Sequence, residues 1–454
     1  MIDFPCVVAK PDARLLPLRL LMLASLLTIF TSACTVHSQE TNTAGEATTS
    51  NKPVLLSKAE TSAPPEAVAQ INLQALEDFK KTLLSRGERL EDQGILIESL
   101  DGKTQFAELN ADTPFNPASV MKLATSLVAL EKLSPAYRYR TNFLADGTVN
   151  VSERKLIGDL VVEGNANPMF SCTDAEQVAQ TLAQIGISRI TGHLRIAEPF
   201  YFYARGYKSN LSRETSAVKL YESLRRAGLR IEGSIKYSES KGVPLIAHYS
   251  DTLANLLLYQ NAHSSNAVAE VIGESLGGSE KIQEYLVKTL QLNENEVYVG
   301  RPSGLEFNRL TPRASIKLLR GLIATLERYS LKPESILPVA GVDNSTLNGR
   351  FSQDEFRGSV IAKTGTLFTF DRGVSTLVGI AFTKARGALL FSVFNTDGRI
   401  HAYRRLQDDF IVRTMEEAGG AAPQTRSEDA LGEKPSDSIV QILYGKPVIA
   451  EQTK

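Results

Sequence analysis

The sequence predicts an α+β fold: an antiparallel sheet flanked by helices, with a smaller α/β lobe inserted after the first buried helix. Three observations carry this. Apolar runs at 360–367, 374–383 and 388–395 stand at hairpin spacing, and 95–99 and 104–109 flank Asp101-Gly102, a strong turn signal. The segment 120–130 is apolar on nearly every side, the pattern of a helix buried in a large domain. From about 141 to 247 the texture changes to short strands with Gly and Asn turns around two amphipathic helices, near 174–185 and 215–228.

Taken in order, residues 1–33 read as a targeting segment. Lys10, Arg14 and Arg19 precede an uncharged apolar run, 20–33, whose 14 residues are short for a membrane span. The run ends in Thr31-Ser32-Ala33-Cys34. Two readings stay open: cleavage after the small residues Thr31 and Ala33, or a lipoprotein box in which Cys34 carries the lipid and tethers the chain to a membrane. Met22 offers an alternative start. Both readings send the protein out of the cytoplasm, to the periplasm. Residues 34–65 are rich in Thr, Ser, Ala, Glu and Pro and read as a disordered linker. A helix with an apolar stripe is expected at 66–86. Residues 66–140 and 248–418 then form the main body, 141–247 the inserted lobe, and 419–454 a polar tail whose 439–443 segment has the pattern of a docking strand. Helical patterns recur at 253–276, 305–326 (after a turn) and 403–418.

Composition narrows the function. The 454 residues suffice for one large core or two domains. Lys and Arg number 50 against 51 Asp and Glu, with no basic block, which argues against nucleic acid as a main partner. Cys6, Cys34 and Cys172 form neither a metal spacing nor a disulfide framework. His193, His248, His263 and His401 show no metal spacing and no nearby Asp or Cys partner; His263, beside a motif, reads as a cleft-rim or helix-end residue rather than a catalyst. Asp408 and Asp409 read as solvated helix-surface charge. No cofactor and no metal are expected.

The chemistry centres on Ser119 and Lys122. Residues three apart share a helix face, so the hydroxyl and the amine stand side by side in an apolar helix. Desolvation disfavours the ammonium, and a neutral amine beside a hydroxyl is a base beside a nucleophile. The string alone is weak: Ser152/Lys155, Ser216/Lys219 and Ser238/Lys241 repeat it among polar neighbours. Ser264-Ser265-Asn266 and Lys363-Thr364-Gly365-Thr366 follow in the order of the S-x-x-K, S-D-N and K-T-G signature of class A β-lactamases and penicillin-binding proteins. In that reading Ser119 attacks an amide carbonyl, Lys122 takes its proton and Lys363 helps keep Lys122 neutral. Ser264 relays a proton to the leaving amine, and Asn266 holds the substrate amide and braces Lys122. The Ser119 and Thr366 N–H groups form an oxyanion hole, each donor worth roughly 3–4 kcal/mol of barrier. Lys363, Thr364 and Thr366 bind a carboxylate, and Gly365 lets the substrate approach the strand. The bland alternatives are an edge-strand charge for Lys363 and a helix cap for Ser264.

Over 66–418 the chain resembles the low-molecular-mass class C penicillin-binding proteins, D-alanyl-D-alanine carboxypeptidase/endopeptidases of the S13 type. The likeness rests on Pro117-Ala-Ser-Val-Met-Lys-Leu-Ala-Thr125, Gly158-Asp-Leu-Val-Val-Glu-Gly164, Ser264-Ser-Asn266 with Ala269-Glu270, Ser303-Gly-Leu305, Leu310-Thr-Pro-Arg313, Leu337-Pro-Val-Ala-Gly-Val-Asp343 and Ala362-Lys-Thr-Gly-Thr-Leu367. It implies a β-lactamase/transpeptidase-like domain and acyl-enzyme hydrolysis of peptidoglycan stem peptides, with β-lactams as covalent inhibitors. Two departures stand out. Ser119 and Ser264 are 145 positions apart, a shortened insertion relative to the family. The family's Asp, Arg and Gln, which grip a diamino-acid side chain, read Asn167, Phe307 and Phe368 here, implying a more apolar pocket. A non-catalytic wall-binding protein and a β-lactamase are the competing functions.

Overall fold

The sheet alternation explains how two cores share one scaffold. In the computed structural model, which describes residues 69–204, 211–424 and 437–445, Leu96 faces one core while its neighbours Ile95 and Ile97 face another. Successive side chains point to opposite faces of a strand, so a sheet covered on both sides needs apolar residues at nearly every position. The sheet has six strands in the order 69–70, 104–109, 93–99, 387–395, 374–383, 360–367; all pairs are antiparallel except that of the two-residue edge strand. The predicted hairpins are there, with Gly102 at φ 76° in the turn after Asp101. The targeting segment, the linker and Cys34 lie outside the described residues.

Helix α1 (Gln74–Ser85) starts later than its stripe suggests, and its first N–H groups are capped from afar by the Glu417 carboxylate (2.8 and 2.7 Å). Leu76, Phe79 and Leu83 pack it on one sheet face. Helix α2 (Lys122–Leu133) is buried from Lys122 to Leu130 and crosses the other face.

The chain then builds a second, eight-stranded sheet from 140–150, 155–163, 189–190, 194–197, 230–231, 235–237 and 243–249, covered by α3 (Cys172–Gln184) and α4 (Arg213–Arg226). Its eighth strand is Ile439–Ile442, antiparallel to Val243–Tyr249. The tail segment thus pairs with the lobe sheet, latched by Arg138 to Asp437 (2.6 Å) and by Ser438 to Asp174 (2.9 Å).

The region read as one helical stretch, 253–276, is two helices: α5 (Leu253–Ala262) and α6 (Asn266–Ser275). Ser264 at φ 51° breaks them, and Ser265 caps α6 through its hydroxyl on the Val268 N–H. Helix α7 (Gly278–Lys288) was not anticipated; α8 (Pro312–Arg328) follows, capped by Thr311. Helices α2, α5, α6, α7 and α8 share the first core, while α9 (Ile400–Glu417) joins α1 over the second. Among the described residues no helix is long and apolar enough to cross a membrane.

Candidate active site

Ser119 does not sit inside an α-helix. Residues Ala118–Met121 form one 3₁₀ turn, and α2 begins at Lys122. The turn is pinned from three sides. The Asn116 side chain accepts from the Ala118 N–H (3.0 Å) and donates to the Glu306 carbonyl (3.0 Å); the Pro117 carbonyl accepts from the Thr376 hydroxyl (2.9 Å). Ala118 is held at φ 48°, a left-handed conformation uncommon for a residue with a side chain. Two glycines press against this turn. A Cβ on Gly304 would collide with the Ala118 carbonyl, and one on Gly365 would stand 2.6 Å from the Pro117 oxygen.

Lys122 is fully buried, while Ser119 is only half-buried. The Lys122 amine reaches Ser119 Oγ at 2.9 Å, Asn266 Oδ1 at 2.8 Å and the Ser303 carbonyl at 2.6 Å. Burial lowers its pKa well below the ordinary lysine value, the Lys363 charge lowers it further, and Glu270 opposes both. An uncharged amine has two protons and one lone pair. The Asn266 and Ser303 oxygens can only accept, so they take the two protons and leave the lone pair for the Ser119 hydroxyl. Such a pair can pass the hydroxyl proton to nitrogen at the moment of attack. The contribution of Ser303 is a backbone carbonyl and could not be read from side-chain motifs. Glu270, one turn beyond Asn266, accepts from the Ser303 N–H (3.2 Å) and contacts Arg301 Nε (3.2 Å), fixing the loop that supplies that carbonyl.

On the opposite wall Lys363 is also fully buried; its amine donates to Ser264 Oγ (2.9 Å) and to the Thr364 carbonyl (2.7 Å). Burial brings its pKa down to about 7. Thr364 donates to the Thr346 hydroxyl (2.8 Å), and Thr366 accepts from Arg404 (2.9 Å). One chain of contacts therefore runs from Ser119 to Lys122 to Asn266. A second runs from Ser264 through Lys363 to the 360–367 strand, whose Gly365 packs on the Ser119 turn.

The three altered positions have separate surroundings. Asn167 is buried, its Oδ1 accepting from the Met169 N–H (3.0 Å). Phe307 is exposed and packs on Tyr298 and the Arg309 guanidinium; Phe368 is 73% exposed. Among the described residues no hydrogen bond or ring contact joins the three. Two other readings need correction. His248 has an acidic partner, Asp174, 3.1 Å away and distant in sequence. Asp408 is not solvated surface charge: it pairs with Arg350 (2.8 Å), and burial raises its pKa. His263 does end α5, its ring on Tyr259.

The overall fold resembles a predatory endopeptidase from Bdellovibrio bacteriovorus solved with its immunity protein: TM-score 0.63, 22% identity, covering 74% of this chain and 96% of that one. It also resembles a second such endopeptidase from that organism, solved acylated by penicillin G (TM-score 0.62, 21% identity, 74% and 95% covered). A third likeness is penicillin binding protein 4 from Haemophilus influenzae (TM-score 0.59, 18% identity, 72% and 95% covered). At these identities the likenesses show the fold. A family model described as the D-Ala-D-Ala carboxypeptidase 3 (S13) family matches residues 76–205 and 208–414, most of the described chain. The chain therefore belongs to the D-Ala-D-Ala carboxypeptidase 3 (S13) family, and is a serine D-alanyl-D-alanine peptidase of the penicillin-binding type.

Proposed function

We propose that Ser119 is the nucleophile and Lys122 the base that hydrolyse D-alanyl bonds of peptidoglycan stem peptides through an acyl-enzyme. The observation that carries this is a fully buried amine 2.9 Å from a half-buried hydroxyl. Ser264, beside Lys363, returns a proton to the leaving amine. Asn266 holds Lys122 and the substrate amide, and the Ser119 and Thr366 N–H groups receive the oxyanion. Lys363, Thr364 and Thr366 form the carboxylate side of the cleft; Gly365, expected to leave room for the substrate, instead leaves room for the Ser119 turn, since the Pro117 carbonyl and the Thr376 hydroxyl occupy the place of a side chain. Asn167, Phe307 and Phe368 make the side-chain end of the cleft more apolar than that of relatives. The body 66–140 with 248–418 carries the reaction, and 141–247 is a lobe that receives the tail strand.

A family that acts on peptidoglycan works outside the cytoplasm. We place this chain in the periplasm, released from its leader 1–33 and tethered through Cys34 by the 34–65 linker. Labelling with a radioactive fatty acid tests the tether; label surviving Cys34→Ala would disprove it. Exposure to a fluorescent penicillin, wild type beside Ser119→Ala, tests the reaction. Covalent label on the wild type alone is expected, with slow release. Label on Ser119→Ala would remove Ser119 as nucleophile, and rapid turnover of penicillin would make the protein a β-lactamase. Cross-linked and uncross-linked muropeptides then separate endopeptidase from carboxypeptidase work.

A further inference from the structure

We propose that Arg404, on the second turn of α9, is the cation that binds the substrate's C-terminal carboxylate, acting across the Thr366 hydroxyl. The proposal rests on the D-alanyl peptidase reading and names the recognition element within it.

The first argument is placement. Arg404 Nη2 donates to Thr366 Oγ1 at 2.9 Å, which puts a guanidinium from a distant helix against the last hydroxyl of Lys363-Thr364-Gly365-Thr366. Because Thr366 Oγ1 accepts from Arg404, its own O–H points elsewhere and is available to an incoming acceptor.

The second argument is charge balance. Arg404 is half-buried, yet among the described residues it makes no ion pair. The carboxylate one turn along α9, Asp408, is at the i+4 spacing that would suit it. Arg350 occupies that carboxylate instead, with Nε 2.8 Å and Nη2 2.6 Å from Oδ1. Arg404 thus carries a positive charge that burial and the neighbouring Arg350 oppose, and that Asp408, already paired with Arg350, only partly supports. A desolvated cation with free donors is costly unless an anion arrives to share it.

The third argument is elimination. Lys363 is the other cation of this wall, but it is wholly buried and two of its three donors are committed, to Ser264 and to the Thr364 carbonyl. Its charge is also half lost near neutral pH. Arg404 stays charged at every working pH, and its planar fork matches a carboxylate in two-point fashion. Lys363 then lends its charge to the carboxylate side while its donors serve Ser264 and the Thr364 carbonyl, and the two-point contact to the carboxylate falls to Arg404 beside Thr366.

The test uses the full chain carrying Ser119→Ala, which binds without acylation. Calorimetry measures affinity for an acetylated peptide ending in D-Ala-D-Ala and for the same peptide as its C-terminal amide. A charge-assisted contact of this kind predicts that the acid binds roughly 10- to 100-fold more tightly than the amide. Adding Arg404→Gln is expected to abolish that preference while changing amide affinity less than about twofold; Arg404→Lys restores part of it. Equal weakening of acid and amide, or an acid preference that survives Arg404→Gln, overturns the proposal. If the wild-type chain still takes fluorescent penicillin, those outcomes overturn this proposal alone. Binding of neither peptide, with an unlabelled wild type, overturns it together with the reading beneath it.

Discussion

Gly365→Ala is the substitution whose consequence can be worked furthest from the structure. Gly365 lies in the 360–367 strand where that strand touches the turn carrying Ser119. An added Cβ would stand 2.6 Å from the Pro117 carbonyl oxygen and 3.1 Å from the Ala118 Cβ, and closer still to the Thr376 hydroxyl. The Thr376 side chain cannot swing away freely, because it donates to that same Pro117 carbonyl. The backbone oxygen needs about 1 Å of extra room to reach ordinary contact, so the turn and the strand must part by about that distance. Overpacking of this kind costs about 1–3 kcal/mol of stability. A shift of about 1 Å between nucleophile and oxyanion donors costs on the order of 100-fold in rate. The assay is the second-order rate of acylation by fluorescent penicillin, beside chemical denaturation. A Gly365→Ala protein that acylates within about threefold of wild type would refute the argument. So would full rescue by Thr376→Ala, since the Pro117 carbonyl would still obstruct the new methyl.

Further expectations follow from the charges around the two buried lysines. Glu270 raises the Lys122 pKa, so Glu270→Gln should move the acid limb of the acylation profile to lower pH while the neutral amide still accepts from the Ser303 N–H; an unmoved limb would make Glu270 purely structural. The Lys363 pKa is depressed to about 7 on folding, so between about pH 7 and the unfolded lysine value near 10.4 the unfolded chain binds more protons than the folded one. Wild-type stability should therefore rise with pH across that window relative to Lys363→Met, read as a narrowing gap in melting temperature; a gap that widens would contradict the burial. Asp174 is buried, accepts from Ser171, His248 and Ser438, and completes the cap of α3. Asp174→Ala should cost about 2–4 kcal/mol by denaturant titration, with acylation at native conditions little changed.

The hairpins and the buried α2 were legible because period-2 and all-round apolar patterns are local properties of the chain. So was the trio of motifs, since the order of Ser119, Ser264 and Lys363 along the chain requires only that the fold bring them together. What escaped the sequence was set by distant or backbone partners. The 253–276 stretch reads as continuous helix because His263 and Ser264 carry no Gly or Pro, and only the φ of 51° at Ser264 shows the break that aims its hydroxyl at Lys363. Helix α7 had a signal in the ladder Lys281, Glu284, Lys288 beneath Ile282 and Leu286, but Gly277-Gly278 obscured its start. Arg404 carries no sequence signal beyond its place in the 403–418 helical pattern. Its meaning depends on Arg350 having taken Asp408, a pairing between residues more than fifty positions apart. The Ser303 carbonyl carries no residue signature at all.

The pH dependence of penicillin acylation probes the state of the Lys122 amine most directly. If that amine is held uncharged against Ser119, the second-order rate constant should reach its plateau well below the titration range of an ordinary lysine, and Lys122→Arg, which keeps the charge and cannot shed it, should abolish acylation. A rate that keeps climbing tenfold per pH unit up to about pH 10 would mean that a normal, solvated lysine is titrating, and the buried base would have to be abandoned.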